Sequence, residues 1–341
     1  MAYDLLERIA VSLEKIQSLL AGLVTRRDEN VVDTQESQNN SISRIDPLVS
    51  QALYKIQEAS KREGMSDIPS GFNDLDRITS GWQQSDLIII AACSAMGKTA
   101  FALSMAKNMA DRGIPVAYFS LQMSSMQLMN RLLVNATELS GEKIKTGKME
   151  QWEWEQLNQC AKSLYDKPIY LDDTSLLSIP EFNTKARRLV KEHGVKCIII
   201  DYLQLMKASG MNYGSREQEV SMITRSLKYL ARELEIPIIA LSQLDRGVEG
   251  RAGDDKRPRL SDLRKFGAIE QFADVVLFIH RPEYYKIIQD AQGNSLVGLA
   301  EIIIAKHCNG ATDTVRLRFK SELAKFMNIS DDMCTIECAY V

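Results

Sequence analysis

Three observations predict a doubly wound α/β fold with a mostly parallel sheet. Strand-like and helix-like segments alternate along most of the chain, several strands are nearly continuous Ile/Val/Leu runs, and a phosphate-loop pattern follows the first strand. The expected strands are Leu87–Ala92, Val116–Ser120, Ile169–Asp172, Cys197–Asp201, Ile236–Ser242, Val275–Ile279 and Glu301–Ala305. Runs this apolar suit strands covered by helices on both faces. Amphipathic segments such as Ala100–Arg112 and Glu217–Glu233 lie between them. In such sheets ligands gather outside the C-terminal strand ends.

Short helices are expected ahead of the sheet. Leu6, Ile9, Leu13, Ile16, Leu20 and Leu23 recur three and four residues apart, which makes residues 1–27 an amphipathic helix. About three heptads is marginal for an isolated helix, so it needs a surface, either on its own chain or on another copy. Residues 28–44 are poor in apolar side chains and rich in Asp, Glu, Asn, Gln and Ser, and read as a flexible polar linker. A second helix over 45–64 is announced by Asp46, which can cap, and Pro47, which suits the first turn. Its stripe of Leu48, Ala52, Leu53 and Ile56 implies a docking surface. The α/β domain then occupies 65–330, with a tail over 331–341.

Composition limits the function classes. The 341 residues suit one large α/β domain with an appendage, and 45% hydrophobic with 26% charged residues is ordinary for a water-soluble chain. No apolar run approaches the ~20 residues of a membrane helix, and the first 23 residues are too acidic and periodic for a signal peptide. Cys93, Cys160, Cys197, Cys308, Cys334 and Cys338 are mostly scattered, and the one histidine adjacent to any of them is His307 beside Cys308, so no zinc site is expected. Reduced thiols suit a cytoplasmic protein. A net charge of −3 leaves any nucleic-acid binding to local basic loops.

Ala92-Cys93-Ser94-Ala95-Met96-Gly97-Lys98-Thr99 links a strand to a helix and fits the phosphate-loop pattern, except that Ala92 stands where glycine is usual. Backbone N–H groups of such a loop cradle phosphate oxygens at a helix N-terminus. Gly97 lets the backbone approach without a Cβ. Lys98 would neutralise the β- and γ-phosphates of ATP, and the Thr99 hydroxyl would coordinate Mg²⁺. Asp201, closing the run Cys197–Ile200, is the natural carboxylate to hold that Mg²⁺ through water.

With these residues in place, the chain resembles the motor domain of DnaB-type replicative helicases. The resemblance rests on Ile68-Pro69-Ser70-Gly71-Phe72 with Leu75-Asp76, the phosphate loop, Asp201-Tyr202-Leu203-Gln204-Leu205-Met206 and Ser242-Gln243-Leu244. Ser261-Asp262-Leu263-Arg264, Ile269-Glu270-Gln271 with Asp274, and Glu301-Ile302-Ile303-Ile304 complete it, in unbroken order from about Ser43 to Ser330. It implies a RecA-like motor that forms a hexameric ring, moves 5′ to 3′ on single-stranded DNA and binds ATP between subunits. The helix over 45–64 would dock on the neighbour. Gln243 would sense the γ-phosphate. Arg264 and Gly267 would hold the DNA backbone, in a loop preceded by Arg251, Lys256, Arg257 and Arg259.

Four departures from the family bear on function. Only Met1–Asn40 stands where the family has a collar domain that meets primase, which argues against primase coupling and ordinary loading. The family's Ser-Leu-Glu-Met reads Ser120-Leu121-Gln122-Met123, so the base that polarises the attacking water becomes an amide that takes no proton. The family's Lys-x-Arg-Asn-Gly reads Lys306-His307-Cys308-Asn309-Gly310, which keeps the lysine and puts a neutral thiol at the arginine-finger position. Lys265 stands where the family has Glu in the DNA loop, and Phe266 replaces a small residue. The family's Arg-Pro-Ser within the phosphate loop is also changed, to Cys93-Ser94-Ala95. Two readings follow: a DnaB-type helicase with altered hydrolysis, or a pseudo-helicase whose ATP state governs assembly on DNA or on a true replicative helicase. A recombination- or clock-type ATPase shares the phosphate loop but not the Asp201–Met206 signature.

Overall fold

The structure, a computed structural model, describes residues 45–61, 68–208, 213–251, 256–264 and 267–331. The expected helix over 1–27, the linker over 28–44, Lys265 and the tail beyond 331 lie outside the described residues. Those described fall into two units, the helix Ile45–Lys61 and the body from Ile68 onward. The helix already includes Ile45, so Asp46 and Pro47 lie in its first turn rather than before it. Within that unit Ile45, Val49, Leu53, Tyr54 and Ile56 are exposed.

The body is built on one sheet in the order β3-β2-β4-β5-β1-β6-β7-β8-β9. Its strands are β1 (Leu87–Ala92), β2 (Val116–Ser120), β3 (Ile169–Asp172), β4 (Cys197–Asp201), β5 (Ile238–Gln243), β6 (Val275–His280), β7 (Leu299–His307), β8 (Thr314–Lys320) and β9 (Lys325–Met327). The pairs among β1–β6 are parallel, and the three joining β6 through β9 are antiparallel. Every residue of β1, β2, β4 and β6 is buried, as strands sandwiched between helices require. Helices Lys98–Asp111, Ile179–His193 and Arg216–Leu234 lie between successive strands in the chain. Ser178 and Ser215 start two of them by accepting from a backbone N–H three residues on. Among the described residues no helix is long and apolar enough to cross a membrane.

Seven of these strands coincide with or overlap the expected ones. β5 starts at Ile238 rather than Ile236, because Pro237 has no N–H and the ladder opens with Ile238 donating to the Asp86 carbonyl at 2.9 Å. β7 runs longer than expected because β8 extends its pairing back to Leu299 and β6 extends it on to His307. β8 and β9 were not expected. In β8 buried Val315, Leu317 and Phe319 alternate with more exposed Arg316 and Arg318, the half-covered pattern of an edge rather than an apolar run.

This edge hairpin reaches the phosphate loop. Phe326 of β9 packs edge-on against Phe101 at 5.3 Å between centroids, and Phe101 stacks on Phe72 at 5.0 Å. Phe326 also meets Phe319 at 4.6 Å, and a Cβ added to Gly97 would lie 3.1 Å from its ring. Truncation of this buried ring should therefore be costly. Phe326→Ala is expected to lose about 3–5 kcal/mol of stability, read as the fall in the free energy of chemical unfolding.

Candidate functional site

Three consecutive strands of the sheet bring the candidate residues together. β5 lies between β4 and β1, so Asp201 (last of β4), Gln243 (last of β5) and the loop after Ala92 share one edge. Gln122 belongs to the same edge. It follows β2, where Ser120 is opposite Asp201 and Leu121 N–H donates to the Asp201 carbonyl at 2.7 Å. Its side chain is exposed.

The phosphate loop turns tightly. Ala95 takes φ 60° and Gly97 φ 97°, and Gly97 immediately precedes the helix Lys98–Asp111. The left-handed backbone and the Phe326 ring together explain glycine at position 97. Lys98 folds back, donating to the carbonyls of Ala92 at 2.9 Å and Cys93 at 3.0 Å. Burial pushes its ammonium down to about 8, against the opposing pull of Asp201. Two carbonyls are weak partners for a buried cation, so an anion entering the loop gains this group. Ser94 and Ala95 are exposed at the loop's tip, while Met96 is buried beneath it. Cys93 is buried too, and burial holds its thiol above the ordinary range despite a hydrogen bond with Tyr285.

Thr99 donates its hydroxyl to Asp201 Oδ2 at 2.7 Å, and the buried Tyr118 hydroxyl donates to the same oxygen at 2.9 Å. Burial raises the Asp201 carboxyl, while these two donors and Lys98 pull it down. A part-buried hydroxyl–carboxylate pair beside a phosphate loop fits a hard cation: both groups offer oxygen, and among the described residues the carboxylate has no cationic partner within hydrogen-bonding range. Tyr118 went unnoticed in the sequence because an aromatic within a strand looks like core. In the sequence Gln204 marks only the family resemblance. Its amide donates to Ser242 Oγ at 2.9 Å and the Gln243 carbonyl at 3.0 Å, and accepts from Gln243 N–H at 3.2 Å. It thus fixes the backbone of Gln243 to the segment after Asp201. Arg281, also unnoticed, lies 3.9 Å over the Phe319 ring and donates to the Ala95 carbonyl at 3.4 Å, walling the loop on its β6 side.

Lys306 and Cys308 are not brought to this edge. His307 pairs with Val275, the first residue of β6, and Cys308 N–H donates to the Asp274 carbonyl at 3.0 Å. Asp274 N–H in turn donates to the carbonyl of Leu87, which opens β1. The five steps of β1 put this level about 17 Å from the phosphate loop. Lys306 holds the Glu270 and Ala273 carbonyls at 2.8 and 2.7 Å, and Cys308 is exposed. His307 sets its ring nitrogen 3.3 Å from the Ala311 carbonyl.

The basic stretch is largely paired. Arg251 meets Asp262, Arg257 meets Glu301 at 3.1 Å, and Arg264 meets Glu270 at 2.8 Å. Lys256 lies 5.0 Å from the Tyr285 ring centroid. Gly267 has φ 91°, and a Cβ there would collide with the Glu217 carbonyl and Ser221 of the helix Arg216–Leu234. A glycine is thus demanded by packing, whatever else this position does.

The DnaB-like helicase C terminal domain model matches residues 67–328. Replicative DNA helicase DnaB of Geobacillus stearothermophilus is 44% identical over 310 residues, covering 90% of this chain and 67% of that protein. Replicative DNA helicase DnaC of Bacillus subtilis is 42% identical with the same coverage. A solved structure of a DnaB-like replicative helicase and its interactions with primase matches at 33% identity with a TM-score of 0.76, over 94% of this chain and 75% of that one.

The depressed Lys98 has a measurable consequence. Its folded value lies near 8 against 10.5 for an open chain, so between these values the unfolded state binds more protons and stability rises with pH. Below about pH 8 both states are protonated and the slope from this group vanishes. The difference in unfolding free energy between the wild type and Lys98→Met, followed from pH 7 to 10.5, should show this slope. A flat difference would mean that Lys98 is ordinarily solvated.

Proposed function

The chain belongs to the DnaB-like helicase C-terminal domain family, and we propose that it binds Mg-ATP and single-stranded DNA as a ring-forming motor whose hydrolysis is slowed by Gln122 and Cys308. One observation carries this reading. The phosphate loop, Asp201 and Gln243 stand at one edge of the sheet, and Lys306 and Cys308 at the other. Residues so divided meet only when one copy's edge faces the next copy's phosphate loop, which is how a ring, hexameric in the family resembled, places nucleotide between subunits.

Lys98 moves from two carbonyls to the β- and γ-phosphates when nucleotide enters. Mg²⁺, held by the Thr99 hydroxyl and by Asp201 through water, would neutralise charge on the phosphate oxygens. Gln204 keeps the end of β5 registered with Asp201, so Gln243 reports a change at the γ-phosphate to the segment that leads into the DNA loop. Arg264 and the neighbouring Lys265 contact the DNA backbone without reading bases, and that affinity falls with salt. Gln122 can hold the attacking water but takes no proton, a loss of about 10²–10⁴ in rate. Cys308 brings no positive charge to the neighbour's γ-phosphate, where an arginine finger is worth about 10³–10⁵.

A second reading is favoured by the exposed Cys308 itself, which supplies no cation. A mixed assembly with a true replicative helicase would supply the missing arginine from the other protein, making this chain an ATP-dependent assembly partner.

Turnover tests both. Lys98→Ala is expected to abolish Mg-nucleotide binding. Gln122→Glu and Cys308→Arg act on one transition state from two subunits, so each alone should restore part of the rate and the double change more than the product of the singles. Dilution below ring assembly should erase the gain. Wild-type turnover of tens per second would overturn the proposed slowing.

A further inference from the structure

We propose that Glu270 is a built-in stand-in for a DNA phosphate: its carboxylate holds the Arg264 guanidinium in the DNA-free protein, and a backbone phosphate of single-stranded DNA must displace it. The inference rests on Arg264 being a DNA-backbone contact. The Arg264 side chain is 70% exposed, yet its Nε is drawn 2.8 Å from Glu270 Oε1, and the Glu270 side chain is only 17% exposed. The other carboxylate oxygen, Oε2, is buried and has no hydrogen-bond partner among the described residues. A carboxylate so placed is poorly satisfied in its own right, and its cationic partner among the described residues is the arginine. Carboxylate and phosphate offer a guanidinium the same geometry of paired oxygens, so both compete for one cation.

Glu270 cannot follow Arg264 outward. It lies in the short helix Ile269–Phe272, and Lys306 clamps that helix through the carbonyls of Glu270 and Ala273. On the other side, Gly267 is packed against Glu217 and Ser221, and Ala268 N–H donates to Ser221 Oγ at 2.9 Å. The acid is thus fixed while the arginine is free to swing, so DNA and Glu270 exclude one another at Arg264. The chain binds DNA less tightly than its cations alone would give.

Fluorescence anisotropy of the full chain with a labelled oligothymidylate, across a salt series, tests this. Glu270→Gln keeps the shape and removes the charge. It should tighten binding about threefold, within the fivefold limit of exposed ion pairs, and steepen the salt dependence by up to about one ion. In an Arg264→Gln background the same change should do nothing. Glu270→Asp, which withdraws the carboxylate by one methylene, should tighten binding in the same direction and serves if the amide variant misfolds. If Arg264→Gln weakens binding while neither Glu270 variant strengthens it, this inference fails and the DNA contact stands. Equal tightening with and without Arg264 would reduce Glu270 to a general surface charge and also overturn it. Unchanged affinity in Arg264→Gln would overturn the DNA contact, and this inference with it.

Discussion

Strands buried on both faces have nowhere to carry a charge except at their ends. In β4, four apolar residues precede Asp201, and in β5 the partly exposed Gln243 comes only after five buried positions. Parallel pairing then lines those ends up, because β4, β5 and β1 all run in the same direction. The site is thus a by-product of burial: the same rule that makes the core apolar confines the chemistry to one rim. Asp201 shows its cost, a carboxylate raised by burial and kept useful by Thr99 and Tyr118.

This explains what was legible in the sequence. Seven strands could be read because apolar runs of strand length have few other uses. Lys98, Thr99 and Asp201 could be read because their spacing is tied to a strand–loop–helix unit. β8 and β9 hid because their pattern is that of an edge, and their value lies in contacts more than two hundred residues away in sequence, as in Phe326 against Phe101. Tyr118 and Arg281 hid for a similar reason, since a strand tyrosine and a post-strand arginine announce no partner. The basic stretch misled in degree. Asp262, Glu301 and Glu270, each also visible in the sequence, pair with Arg251, Arg257 and Arg264, a pairing that no local spacing announces.

The antiparallel addition changes what one copy can do alone. β7 returns along β6 and ends where β1 begins, so Lys306 and Cys308 finish at the rim opposite the phosphate loop. Had the chain continued with parallel crossovers, the end of β7 would have joined the rim that already holds Asp201. The reversal exports those residues, and it also anchors them, since Lys306 grips the helix that carries Glu270.

The curl that carries β9 back over the phosphate loop sets an order of construction. β9 is four strand spacings from β1 within the sheet, about 19 Å, yet Phe326 rests against Gly97 and Phe101. During synthesis the loop emerges from the ribosome more than two hundred residues before the ring that backs it. A nascent chain therefore displays the phosphate loop long before the ring that backs it. Only a polypeptide grown past Phe326 closes that wall.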